Sequence, residues 1–154
     1  MSKRLAMALA TWFYSGYAPV APGTAGSILA WAMAWFVVHR LGMPAWAVGI
    51  AGLALLPLAV KTAEFAATQL GSHDPSVVVI DEVVGQWIAL SAAASNSWPQ
   101  WVAALVLFRF FDIAKPLGIR RLEALAGGKG VVADDVGAGA CAMIGVALVR
   151  WLGF

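Results

Sequence analysis

Long apolar runs dominate the chain, and short segments that hold charge, proline or glycine separate them. By length and apolar content these runs predict five helices, at about residues 25–39, 45–61, 83–97, 98–112 and 136–152. A helix of about 15 residues rises only about 22 Å, so the third and fourth helices are expected to form a hairpin with its ends recessed into a membrane. A short apolar stretch after Lys3 and Arg4 predicts an additional N-terminal helix at the membrane interface.

Composition indicates which solvent these helices face. Apolar residues make up 62% of the 154 residues and charged residues 12%, whereas soluble domains are about one-quarter charged. Such a chain cannot cover itself with a water-soluble surface, so lipid must contact much of its exterior. We therefore predict an all-α, polytopic membrane protein in which residues 1–154 form a single domain with about five membrane helices. The formal net charge of +2 is too small to indicate nucleic-acid binding.

Charged residues are sorted to one side of the predicted membrane. With five spans, residues 1–24, 62–82 and 113–135 share a side. All eight carboxylates and eight of the ten Lys and Arg residues lie on that side or at its edge. Because loops rich in Lys and Arg face the cytoplasm, this side is predicted to be cytoplasmic.

Carboxylates at the starts of apolar helices are the first candidates for a functional site. Asp81 and Glu82 precede the third predicted helix, and Asp134 and Asp135 precede the fifth. A carboxylate next to hydrocarbon costs a few kcal/mol unless it is paired or bound to a metal, so both pairs are candidate ligands for Mg²⁺. Acids at a helix start also serve as caps, and that alternative stays open for both pairs.

A polar stripe inside an aromatic run is the second candidate. Arg109, Asp112 and Lys115 recur every three residues and therefore share one helix face. Two cations beside one anion leave positive charge for an anionic ligand, and the arginine fork suits a phosphate. The alternative is an internal ion pair that only neutralises itself.

Glycine-rich segments supply further candidates for holding a phosphate. Gly23 and Thr24 open the first predicted helix, where backbone N–H groups and a hydroxyl could cradle an anion. Lys129 lies in a second glycine-rich turn, before Asp134 and Asp135. His73 and Asp74 are candidates for an additional ligand or a proton shuttle.

Four segments together, APVAPGTAGS, HDPSVVVIDEVVGQW, FRFFDIAKPLGIR and GGKGVVADDVGAG, resemble the phosphatidylglycerophosphatase A family. The resemblance covers residues 16–140, with the segments in the family's order and spacing. It implies a helical bundle in the bacterial inner membrane whose cytoplasmic site hydrolyses the terminal phosphate of phosphatidylglycerophosphate with Mg²⁺. By that match, the acidic site residues and metal ligands are Asp81, Glu82, Asp112, Asp134 and Asp135. The matching basic and loop positions are Arg109, Lys115, Pro22, Gly23 and Thr24.

The expected chemistry is attack of water on phosphorus. A Mg²⁺ ion held by carboxylates would polarise the phosphate and acidify that water, while Arg109 and Lys115 stabilise the phosphate oxygens. An ion or proton transporter is the main alternative, because transporters also place acids within the membrane. Its acids should lie near the bilayer midplane, whereas these lie at one interface.

Overall fold

The computed structural model describes residues 1–72 and 74–154, which form α-helices, short 3₁₀ turns and loops without any strand. The helices are α1 (Lys3–Ala10), α2 (Pro22–Leu41), α3 (Ala45–Leu70), α4 (Ile80–Leu90), α5 (Trp98–Ala114) and α6 (Gly128–Trp151). The 3₁₀ turns are Ser15–Tyr17, before α2, and Ile119–Ala124, between α5 and α6. The described residues are therefore all-α, as predicted.

Proline and glycine mark the helix ends. Pro22 and Pro99 lie in the first turns of α2 and α5, where a missing N–H costs nothing because it would have no partner within the helix. Gly42 and Gly71 end α2 and α3 in the left-handed conformation, which glycine adopts without a steric penalty. The start of α2 and the end of α5 lie near the start of α4, because Pro22 and Lys115 line the same cavity as Asp81.

Helix α4 is the centre of the bundle and packs against α2, α3, α5 and α6. Nine of its eleven residues are buried. Its crossing with α6 is very close, because a Cβ on Gly139 would lie 2.5 Å from the carbonyl oxygen of Gly85. On the opposite side, the indole of Trp87 donates a hydrogen bond to the carbonyl of Ala30 at 2.9 Å. The middle of α4 is thus held between α2 and α6.

Within the described residues, two helices, α3 and α6, are long and apolar enough to cross a membrane. The prediction of five membrane-crossing helices is not supported. Helix α4 ends at Leu90 instead of residue 97, and its 11 residues rise only about 16 Å. Helix α5 has 17 residues. Exposed Leu, Ile, Val, Phe and Trp side chains on α2, α3, α5 and α6 nevertheless indicate an apolar exterior.

Helix α6 begins earlier than predicted. It starts at Gly128, not at residue 136, so Asp134 and Asp135 are its seventh and eighth residues. Its N-cap is Gly127, and the interpretation of these acids as capping residues is therefore wrong. Asp81 is not an N-cap either, because Val79 holds that position and Asp81 and Glu82 lie in the first turn of α4.

Candidate active site

Three carboxylates converge where α4 and α6 cross. Ligand oxygens of Asp81, Glu82 and Asp135 lie within 4.8 Å of one another, and we refer to these residues as the acid triad. Asp81 is 5% exposed and Asp135 is 3% exposed. Oxygen atoms at this spacing can share one hard divalent cation such as Mg²⁺, which takes carboxylate ligands and completes its shell with water and phosphate.

The acid triad is electrostatically unfavourable in the chain alone. Burial, followed by repulsion from Glu82 and Asp135, raises the pKa of Asp81 well above its usual value. Burial also raises the pKa of Glu82, at the start of α4, to about 7. Glu82 Oε2 and Asp135 Oδ1 are buried and accept no hydrogen bond from any residue that the structure describes. Buried acceptors normally have a partner, so these atoms fit a site for a bound cation.

Arg109 lies beside the acid triad on α5. Its Nη1 is 2.6 Å from Asp112 Oδ2 and 3.8 Å from Glu82 Oε1, and it donates a long hydrogen bond to Ser27 Oγ at 3.4 Å. Its Nε is buried and donates to none of the described residues. The guanidinium therefore keeps a donor for a further ligand. Asp112 extends the acidic surface, since its carboxyl also faces Asp135.

The start of α2 forms one wall of the site. A Cβ on Gly23 would lie 2.1 Å from Glu82 Oε1 and 3.2 Å from Arg109 Nη2. A larger residue at this position would displace the end of the Glu82 side chain, so Gly23 permits the close approach of this backbone to both side chains. Thr24 follows in the same turn and is half-buried.

Lys115 is the second basic residue of the site. It ends α5 in the left-handed conformation, with φ 45°, and its Nζ donates to both Asp134 and Glu123. Burial lowers the pKa of Lys115, but the two carboxylates outweigh burial and raise it above the usual value. Glu123 was not predicted as a site residue, because it lies in a polar segment whose 3₁₀ fold the sequence pattern does not reveal.

A cavity of about 250 Å³ joins these groups, and we refer to it as the active-site cavity. It is lined by Gly23 and by eight charged residues, Asp74, Asp81, Glu82, Arg109, Asp112, Lys115, Asp134 and Asp135. Four segments that are distant in sequence therefore meet at one place, as the site predictions require.

The grouping of the acids differs from the expectation. All five acids, Asp81, Glu82, Asp112, Asp134 and Asp135, were expected to be metal ligands, whereas the acid triad brings together only Asp81, Glu82 and Asp135. Asp112 and Asp134 are instead paired with Arg109 and Lys115.

Two further candidates lie away from the site or cannot be placed. Lys129 is exposed and lines a separate apolar groove between α3 and α6. His73 lies outside the described residues.

Comparison with known proteins identifies similar sequences over nearly the whole chain. A family model described as Phosphatidylglycerophosphatase A matches residues 8–150. A Bacteroides thetaiotaomicron protein, named provisionally as a phosphatidylinositol-3-phosphatase, is 44% identical over 153 residues, 96% of this chain and 95% of that protein. Phosphatidylglycerophosphatase A of Escherichia coli is 38% identical over 136 residues, 85% of this chain and 75% of that protein. The protein of the same name from Haemophilus influenzae is 40% identical over 147 residues, which cover 93% of this chain and 87% of that protein. No solved structure matches the chain.

Proposed function

The chain belongs to the phosphatidylglycerophosphatase A family of phosphatases, and from this premise we propose that it hydrolyses the terminal phosphate of phosphatidylglycerophosphate with the help of Mg²⁺. The products are phosphatidylglycerol and inorganic phosphate. The observation that carries the proposal is an acid triad next to Arg109 and Lys115 in one cavity. Family membership favours this enzyme over the transporter alternative.

The acid triad contains the residues that would hold Mg²⁺. Its oxygens lie close enough to share an ion, and two of them have no partner among the described residues. When bound, Mg²⁺ supplies positive charge that polarises a phosphate and acidifies water. The chain contributes a buried position that keeps the carboxylates close despite their repulsion.

The cationic side chains bind the phosphate. The Arg109 and Lys115 side chains both line the active-site cavity, and the Nε–H of Arg109 donates to none of the residues that the structure describes. During hydrolysis the water oxygen bonds to phosphorus, the P–O bond to the glycerol breaks, and the leaving oxygen takes up a proton. Neutralising the phosphate oxygens with positioned cations is the main protein contribution to this class of reaction. A cavity carboxylate accepts the proton of the attacking water.

The proposed location is the bacterial cytoplasmic membrane, with several membrane passes and the active-site cavity on the cytoplasmic side. Two helices of membrane length, an apolar exterior and the grouping of eight charged residues around one cavity support it. The substrate phosphate of a lipid in the inner leaflet would then lie at the depth of the site.

Phosphate release from phosphatidylglycerophosphate in detergent, with Mg²⁺ and with EDTA, tests the proposal. We expect activity that requires Mg²⁺ and falls by at least about 100-fold in Asp81→Asn and Glu82→Gln. Glu64→Gln is the matched control, because Glu64 is an exposed acid outside the active-site cavity. Wild-type turnover in EDTA, or in both site variants, would reject the metal-dependent mechanism.

A further inference from the structure

Two apolar cavities lie side by side between α3 and α6. Their volumes are about 490 Å³ and about 400 Å³. Val136 and Ala140 line both of them, so the two are contiguous, and we refer to them together as the α3–α6 groove. Lys129 lines the larger cavity and Trp46 lines the smaller one. The two helices that form the groove are the ones long and apolar enough to cross a membrane.

The α3–α6 groove is separate from the active-site cavity. None of the described residues lines both. On α6, Asp134 and Asp135 line the active-site cavity, whereas Ala133 and Val136 line the groove. The helical period places these two sets on opposite faces of α6. A lipid whose headgroup lies at Lys129 is therefore distinct from one whose phosphate lies in the active-site cavity.

Small side chains on one face of α6 leave space for the groove. Ala133, Gly137 and Ala140 follow one another at intervals of four and three residues, which places them on the same face of the helix. Leu56 and Val60 line the wall formed by α3. Because both walls carry aliphatic side chains, the larger cavity suits a hydrocarbon chain.

The larger cavity has the depth of one leaflet of a bilayer. Lys129 and Ala140 lie 11 residues apart on α6, which corresponds to about 16 Å along the helix axis. Half of a hydrocarbon core of about 30 Å is about 15 Å. An acyl chain whose headgroup lies at the level of Lys129 would therefore end at the far end of this cavity, in the middle of the membrane.

Charge at the same end favours an anionic headgroup. Lys129 is exposed and is the one charged residue among the described residues that line the larger cavity. It takes part in none of the ion pairs in the described part of the chain. Lys61 and Arg121 are also exposed and are next in sequence to lining residues. Of the two acids near this end, Glu123 is already in an ion pair, so the three cations outnumber Glu64.

We propose that the α3–α6 groove binds one acyl chain of an anionic phospholipid from the cytoplasmic leaflet, with the headgroup phosphate at Lys129. This inference rests on the proposed membrane location and does not depend on the reaction. A second copy of the chain suits the groove less well. In a symmetric dimer the groove would pack against its own copy, which brings a second Lys129 and no lining carboxylate from the described residues.

Photolabelling with phospholipids that carry no phosphomonoester tests the groove without measuring turnover. Phosphatidylserine and phosphatidylcholine with identical tails, each with a diazirine at the end of one tail, are added as a trace to phosphatidylcholine vesicles that contain the protein. The label around Ala140 is divided by the label on the exposed face of α5, at Val106 and Phe110. We expect this quotient to be about fivefold higher for phosphatidylserine, because one lysine at the membrane surface favours an anionic lipid by about that factor.

Two pairs of variants locate the lipid. Lys129→Gln should bring the two quotients together, whereas the matched control Lys3→Gln, at the exposed start of α1, should keep the preference. Leu56→Trp fills the groove from α3 and should remove most of the label around Ala140. Leu58→Trp lies on the same helix but lines neither cavity, so it should leave that label unchanged.

Three results would overturn the α3–α6 groove as an anionic lipid site. The first is an equal quotient for both lipids in wild type, and the second is an unchanged preference in Lys129→Gln. The third is the absence of label from the groove together with a native mass of two chains, which would make the groove a dimer interface. Flotation of the vesicles shows separately whether the protein is in the membrane, and phosphate release is measured on the same samples. A failure of the groove is therefore distinguishable from a failure of the proposed location or function.

Discussion

Burying the individual carboxylates of the acid triad costs free energy, and contacts within the folded chain do not offset that cost. Asp81 and Asp135 are almost fully buried and lie against each other and Glu82. Functional sites often retain such unfavourable charge because the ligand removes it on binding. The same residues should therefore affect stability and activity in opposite directions.

Asp135→Asn tests this trade-off. We expect it to abolish phosphate release while raising the unfolding temperature in EDTA by a few degrees, because one of three mutually repelling charges is removed. Wild type should gain about 2.7 kcal/mol of stability from Mg²⁺ at 100 times its dissociation constant, and the variant should gain none. Thermal unfolding in detergent, with Mg²⁺ and with EDTA, measures both effects. An equal Mg²⁺-induced shift in wild type and variant would remove Asp135 from the metal site.

Arg109 is predicted to act through the shape of its guanidinium as well as its charge. Arg109→Lys keeps a cation near Asp112 and Glu82 but loses the planar fork and the Nε–H, which donates to no group in the described part of the chain. We expect kcat/KM to fall about 100-fold, which corresponds to about 2.7 kcal/mol of transition-state stabilisation. Steady-state kinetics in mixed micelles provides the measurement. Near-wild-type kcat/KM in Arg109→Lys would mean that charge alone suffices.

Among the elements, α4 has the central role although it has only 11 residues. Its first turn carries two members of the acid triad, and its middle touches α6 at Gly85 and Gly139. Close backbone contact between small residues is a common way for helices to pack within membranes. Here it also sets the distance between Asp81 and Asp135.

Gly139→Ala should separate α4 from α6. The added Cβ would lie 2.5 Å from the Gly85 carbonyl oxygen and 3.0 Å from its carbonyl carbon, and backbone atoms cannot move aside as a flexible side chain can. We expect at least a tenfold loss of activity, with a weaker response to Mg²⁺ in thermal unfolding. Gly145→Ala, on the same helix, meets only the end of the Leu107 side chain and serves as the control. Equal activity of the two variants would contradict a role for the crossing in site geometry.

On the scale of the whole molecule, α3 extends from one end of the bundle to the other. Its N-terminal end follows Met43, and Glu64 near its C-terminal end lies beside Gly127, because a Cβ on that glycine would be 3.4 Å from Glu64 Oε1. If α3 crosses the membrane, Met43 and the 3₁₀ turn Ile119–Ala124 face opposite sides. The active-site cavity lies on the same side as the 3₁₀ turn Ile119–Ala124.

Cysteine labelling tests this orientation. In a Cys141→Ala background, single cysteines would replace Met43 and Leu125, which are 44% and 47% exposed. A membrane-impermeant thiol reagent should label Met43→Cys in intact spheroplasts and Leu125→Cys only after lysis, because positive loops stay inside. Labelling of both positions in intact spheroplasts would reject the proposed topology.

The amino-acid sequence alone was sufficient to predict an all-α protein with an apolar exterior and the family to which it belongs. The four motif segments that it singled out line one cavity in the structure, and their role in catalysis stays a prediction. These features follow from local composition and from motifs. An apolar run stays apolar in any packing, and a buried acid is unfavourable wherever a helix enters the bilayer.

The tertiary structure decided which acids act together and where two helices begin and end. Hydropathy extended α4 through residues 91–97, whose small side chains resemble a helix in composition, although the helix ends at Leu90. Glycines at 128 and 130 suggested a loop, yet both lie within α6, where Val60 and the carbonyls of Glu123 and Leu125 leave no room for a Cβ. The choice of Asp135 for the acid triad, and of Asp134 for Lys115, depends on which face of α6 meets α4. That contact joins residues about fifty positions apart in sequence, and no local pattern specifies it.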